Sequence, residues 1–130
     1  MKTILIIDDE YDHLSSLEML FSLEGYSVRT AHDGEEGLED LKTNPFPDLI
    51  LVDLMMPVLD GYGFISALRK NPEYDQIPVI IASISYMDPR KLKVGDWDYF
   101  ILKPFDLKKL MSLSAKAIAA PLTAKQQTSG

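Results

Sequence analysis

DLILVDLMMP, residues 48–57, opens on Asp48, runs through four aliphatic residues, delivers Asp53 and stops at a proline. Four aliphatics without polar alternation read as a strand buried on both faces, the kind found at the centre of a parallel sheet. Similar runs lie on either side of this third strand, Asp48–Val52. Upstream are Thr3–Ile7 (TILII) and the weaker Ser27–Ala31; downstream are Ile77–Ala82 (IPVIIA) and Tyr99–Leu102. Pro78 sits early enough in its run to be tolerated at a strand start.

Helical spacing fills the intervals. Leu14, Leu17, Leu20 and Phe21 recur on one face, and Gly25 follows as a C-terminal stop. Asp33-Gly34 opens a second helix carrying Leu38 and Leu41, which ends at Asn44-Pro45. Leu59-Asp60-Gly61 opens a third, bearing Phe64, Ile65 and Leu68 and stopped near Asn71-Pro72. Asp88-Pro89 predicts a short fourth helix that Gly95 closes. Asp106 caps a fifth, through Leu107, Leu110, Met111, Ser114 and Ile118, with Pro121 as its end. Five strands alternating with five helices give an α/β fold, a parallel sheet covered on both faces.

Bulk properties narrow the function. A chain of 130 residues fits one domain. The absence of cysteine excludes disulfides, thiolate metal sites and cysteine nucleophiles. A net charge of −7 disfavours direct binding of nucleic acid. No apolar run approaches the ~20 residues that span a bilayer, and no signal peptide is visible, so a cytoplasmic location and no membrane association are expected. The basic groups Arg90, Lys91, Lys93 and Lys103, Lys108, Lys109 read first as solvated faces.

Parallel sheets bind ligands beyond the carboxyl ends of their strands. The residues there are Asp8-Asp9-Glu10, Asp53, Ser83 and Lys103. Taken singly, each has a plain role: a helix cap, a strand end, a turn hydroxyl, a solvated charge. Delivered together to one edge, they suit a particular chemistry. Clustered carboxylates repel unless a hard cation such as Mg²⁺ neutralises them. A carboxylate oxygen can attack phosphorus, and a lysine and a hydroxyl can stabilise the arriving phosphoryl oxygens.

The set Asp8-Asp9, Asp53, Met56-Pro57-Val58-Leu59-Asp60-Gly61, Ile77–Ile80 leading to Ser83, and Lys103-Pro104-Phe105-Asp106 resembles the receiver domain of two-component response regulators. The likeness runs over about residues 2–119. It implies a flavodoxin-like sheet of order 2-1-3-4-5 over residues 1–120, with residues 121–130 a tail or the start of a linker. It further implies that Asp53 is the phosphoacceptor in a phosphorelay, with Asp8, Asp9, Asp53 and the Met55 backbone carbonyl around Mg²⁺. Ser83 becomes the switch hydroxyl, Lys103 its cationic partner, Pro104 the site of a cis peptide, and Phe100 the switch aromatic. The donor is then a histidine kinase or histidine phosphotransfer protein. The output is a downstream protein or a homodimer through the face of the fourth helix, fifth strand and fifth helix. On this reading the chain is a signalling switch that catalyses only its own phosphorylation and dephosphorylation.

Several residues depart from the family pattern. Ile84 follows the switch serine where a small residue is usual, and Met55 is apolar where a polar side chain can orient an attacking water. Phe100 lacks a hydroxyl. Trp97 is read as packing back over the short fourth helix, the alternative being an anchor for a partner. His13 and His32 lack metal-ligand spacing and read as surface or helix-start residues. The competing function is a receiver-like interaction module that signals without phosphorylation. A haloacid-dehalogenase-type phosphatase needs a second acid where Met55 stands, and a flavin-binding module would set its phosphate against Asp8-Asp9-Glu10.

Overall fold

The structure is a computed structural model and describes residues 1–122. Of the expected tail or linker, residues 121–130, all but Pro121 and Leu122 lie outside the described residues. In chain order the elements are β1 (Thr3–Ile7), α1 (Tyr11–Leu23), β2 (Ser27–Ala31), α2 (Gly34–Thr43), β3 (Leu49–Asp53) and α3 (Gly61–Lys70). A 3₁₀ turn (Pro72–Tyr74) follows, then β4 (Val79–Ser83), β5 (Tyr99–Leu102) and α4 (Leu107–Ala119). All neighbouring strands are parallel, in the order β2-β1-β3-β4-β5.

Strand alternation divides the core in two. Leu5, Ile7, Ile50, Val52, Val79 and Ile81 face one side, where Leu41, Phe64, Ile65 and Leu68 of α2 and α3 cover them. Ile4, Ile6, Leu49, Leu51, Ile80 and Ala82 face the other, beneath Leu14, Leu17 and Phe21 of α1 and Leu110 and Ala117 of α4. Because both faces are covered, every residue of β3 and β4 is buried. No helix among the described residues is long and apolar enough to cross a membrane.

The expected fourth helix does not form, so the described residues hold four α-helices rather than five. Only five residues separate Pro89 from Gly95, too few to repay helix nucleation. Residues 84–98 are instead an irregular loop tied to its surroundings. Asp88 accepts the Arg90 amide at 3.0 Å, and Lys93 and Asp96 close a turn in both directions, at 2.8 and 3.1 Å. Gly95 takes φ +98°, which a side chain would resist. Tyr62 of α3 accepts the Asp88 amide through its hydroxyl at 2.7 Å. The Arg69 guanidinium donates to the carbonyls of Asp96, Tyr74 and Ile77 at 3.0, 2.8 and 2.7 Å. Trp97, half-buried, packs against the α2–α3 core.

Candidate functional site

β1 and β3 end side by side, so Asp8 and Asp53 arrive at the same sheet edge. Asp53 closes β3, Ser83 closes β4, and Lys103 follows β5 with its amide donating to the Ser83 carbonyl at 2.8 Å. The Lys103–Pro104 peptide is cis. On the other side of Asp53, α3 starts close because residue 61 is glycine. A Cβ there would stand 2.2 Å from the Asp53 carbonyl oxygen and 2.7 Å from Leu54 Cα. Asp60 caps the same helix, accepting the Gly63 amide at 2.8 Å.

Three carboxylates meet at this edge. Asp8, Asp9 and Asp53 each offer an oxygen, all within 4.8 Å of one another. Asp8 and Asp53 are buried, whereas Asp9 is exposed and its carboxylate has no partner among the described residues. Lys103 Nζ sits between the two buried acids, 2.9 Å from Asp8 Oδ2 and 3.0 Å from Asp53 Oδ2. Asp53 Oδ1 accepts the Met55 amide at 3.1 Å.

Asp8 is the most heavily bonded member. Its Oδ1 accepts the Glu10 amide at 3.0 Å, and its Oδ2 accepts both Lys103 and His13 Nδ1, the latter at 2.5 Å. Burial by itself would raise the Asp8 carboxyl, but these donors outweigh it and hold the group below the ordinary carboxylate range. Burial would likewise lower the Lys103 ammonium, yet Asp8 and Asp53 hold it above the usual lysine range. The site is thus a charged lattice of two buried acids around one cation, with a third, uncommitted acid at its mouth. Oxygen donors of this kind, one of them unpartnered, fit a hard divalent cation.

The remaining expected site residues lie around this lattice. Ser83 is fully buried, and its Oγ accepts the Ser85 amide at 3.3 Å. The Met55 and Ile84 side chains point outward, and Ile84 lines a cleft of about 550 Å³ that also holds Lys103, Glu10, His13 and Phe105. Phe100 lies on β5 opposite Ile81, half-buried, with Tyr86 stacked on it at 6.2 Å between ring centroids. Two of these partners escaped the sequence reading. His13 is five residues from Asp8, and only the turn of the chain into α1 brings its ring back. Tyr86 lies in the segment expected to approach a helix, where its stacking on β5 has no sequence signal.

Residues 4–115 match the response regulator receiver domain family. The chain belongs to this family. Its sequence is 44% identical over 110 residues to a probable transcriptional regulator, ycf27, of Porphyridium aerugineum, covering 82% of this chain and 44% of that protein. It is 41% identical over 112 residues to the transcriptional regulatory protein PrrA of Mycobacterium tuberculosis, covering 84% and 46%. The chain therefore spans less than half the length of these relatives. Among solved structures, the signal receiver domain of a histidine kinase from Syntrophus aciditrophicus superposes with a TM-score of 0.81 at 31% identity, over 92% of this chain and 91% of that one. The response regulator TrrA of Thermotoga maritima, in complex with Mg²⁺ and BeF, gives 0.79 at 28% identity, over 89% and 98%. The receiver fold is thus shared.

Proposed function

We propose that this receiver domain accepts a phosphoryl group on Asp53 and relays its presence through the segment that follows Ser83. The observation carrying this reading is Lys103 bridging Asp8 and Asp53 beside the uncommitted carboxylate of Asp9. Asp9, Asp53 and the Met55 carbonyl would hold Mg²⁺, with Asp8 assisting from behind, and the bound ion would neutralise phosphoryl charge. A carboxylate oxygen of Asp53 attacks phosphorus while the bond to the donor's histidine nitrogen breaks. That nitrogen leaves with its electron pair, and the product is an acyl phosphate. Lys103 is already within reach of the Asp53 oxygen, so its ammonium can follow the charge onto the phosphoryl group.

Ser83 supplies the switch. Its Oγ now accepts from the Ser85 amide, and turning its hydroxyl toward a phosphoryl oxygen would release that contact. The loop from Ile84 onward would then redistribute between arrangements, and Phe100 with Tyr86 would follow. A histidine kinase or phosphotransfer protein is the donor on this reading, in the cytoplasm. The output surface is the loop at 84–98 with β5 and α4, in place of the expected face of a fourth helix, fifth strand and fifth helix. Residues 1–120 constitute the receiver domain, and residues 121–130 follow it as tail or linker.

A phosphorylation-independent interaction module is the competing reading, favoured by one feature, the loop that replaces a helix on the output side. Labelling from a phosphorylated histidine donor decides between them. Label on the wild type that disappears in Asp53→Ala supports the switch. Label that persists in Asp53→Ala, or none at all with Mg²⁺ present, would overturn it.

A further inference from the structure

We propose that the pocket between the C-terminal half of α3 and the loop at residues 84–98 binds a small phosphate-bearing anion of two or more charges. Tyr62, Ser66 and Lys70 recur at four-residue spacing and so share one stripe of α3. Lys91 and Lys93 of the loop face that stripe across a pocket of about 340 Å³, whose lining includes Ser66, Arg69 and Lys70. None of its residues belongs to the Asp8–Asp9–Asp53 cluster.

Charge sets this pocket apart. The chain carries 20 acidic residues against 13 basic ones, yet four of the six residues lining this pocket are basic. Among the described residues Lys70, Lys91 and Lys93 form no ion pair, whereas the neighbouring Arg90 is paired with Asp88 at 3.0 Å. The last turn of α3 accounts for Lys70 through the helix dipole. It does not account for two more ammonium groups brought to the same hollow by a separate segment. The pocket's one acid, Asp96, spends Oδ2 on the Lys93 amide at 2.8 Å.

One of the cations is also held in place, and the loop backbone that carries two of them is braced. Lys91 Nζ lies 4.8 Å above the centre of the Tyr62 ring, and Tyr62 in turn holds the Asp88 amide. Arg69 pins the Asp96 carbonyl from beneath, and the Lys93–Asp96 turn is closed from both ends. Such bracing lowers the ordering cost of binding. The type of donor points to phosphate. Arg69 has committed its guanidinium to three carbonyls, so no planar fork remains for a carboxylate. What remains is ammonium groups and one hydroxyl, point donors suited to phosphate oxygens arrayed around phosphorus.

Calorimetric titration of the full chain with inorganic pyrophosphate tests the site, at fixed ionic strength and without divalent cations. The single tryptophan, Trp97, is next to Asp96 and gives a fluorescence readout in parallel. Saturable binding is expected, weakened at least tenfold in Lys91→Gln/Lys93→Gln. The same charge change at two exposed lysines of α4, Lys108→Gln/Lys109→Gln, is expected to weaken it less than twofold. ADP binding as tightly as pyrophosphate would assign the phosphates to a nucleotide, and weaker ADP binding to a free polyphosphate; both support the site. Absence of saturable binding, equal losses in the two double variants, or tighter binding of an oligoglutamate peptide than of pyrophosphate would overturn it.

Discussion

Asp8 is buried and ionised, and three donors make that state stable. Because its folded pKa lies below its ordinary value of 3.8, its ionised form contributes stability that is complete above that value. The contribution is lost as pH falls through the lower folded value. In divalent-free buffer, the difference in unfolding midpoint between wild type and Asp8→Asn is expected to hold constant from pH 6 to 8. It should shift against the wild type below pH 3.8. A difference that is already moving at pH 6 would reject this account of the carboxylate. A second residue stores strain. Val58 has φ +66°, is largely exposed, and is the middle of a γ-turn in which the Leu59 amide donates to the Pro57 carbonyl at 2.8 Å. A β-branched side chain in that region costs of order 1–3 kcal/mol, partly offset in a glycine variant by unfolded-chain entropy. Val58→Gly is therefore expected to stabilise the fold by about 1 kcal/mol in denaturant titration.

The loop at 84–98 is held to α3 chiefly by Arg69, whose three N–H groups satisfy carbonyls from the loop, the 3₁₀ turn and the approach to β4. Arg69→Met fills similar space but leaves those carbonyls without donors, at roughly 1 kcal/mol or more each. A loss of about 3 kcal/mol is expected, with amide exchange accelerating in residues 84–98 before it does in β3. Equal acceleration in both would show that the arginine is not a local brace. This loop also marks where the sequence reading stopped working at the scale of elements. β1, β2 and β5 were legible to the residue because β-branched or aromatic runs have sharp polar or turn boundaries. β3 and β4 begin one and two residues after the strand starts expected at Asp48 and Ile77 and end on Asp53 and Ser83, because ladder pairing continues past the last aliphatic. Asp88-Pro89 is a genuine helix-start signal, but capping cannot compensate for a helix with only five residues to propagate through. Gly61 was legible as a helix start and not as a spacer. That it lets α3 approach the backbone of Asp53 depends on an interatomic distance no local pattern encodes.

At the scale of the molecule, the site edge concentrates charge that the sheet interior cannot dissipate. The residues that build it were legible in the sequence because four strands each ended on a polar residue at the same edge. Their partners were not, since His13 reaches Asp8 only through the turn into α1. Asp8, Asp9 and Asp53 crowd together, and among the described residues Lys103 is the one lysine or arginine paired with them, so a divalent cation that binds the folded edge should stabilise the whole domain. Mass action sets the size: a ligand at ten times its dissociation constant adds about 1.4 kcal/mol, which for a chain of this length raises Tm by about 5 °C. Mg²⁺ is expected to produce such a rise in scanning calorimetry, and NaCl at matched ionic strength is not. Asp9→Asn should remove most of the Mg²⁺ effect while leaving the metal-free Tm at or above the wild-type value, because the Asp9 carboxylate has no partner among the described residues to lose and its repulsion of Asp8 and Asp53 is removed. Lys103→Met should behave in the opposite way. It leaves two buried carboxylates without their cation, lowers the metal-free Tm, and enlarges the rise on adding Mg²⁺. If both variants respond to Mg²⁺ as the wild type does, the cation is not binding at this edge.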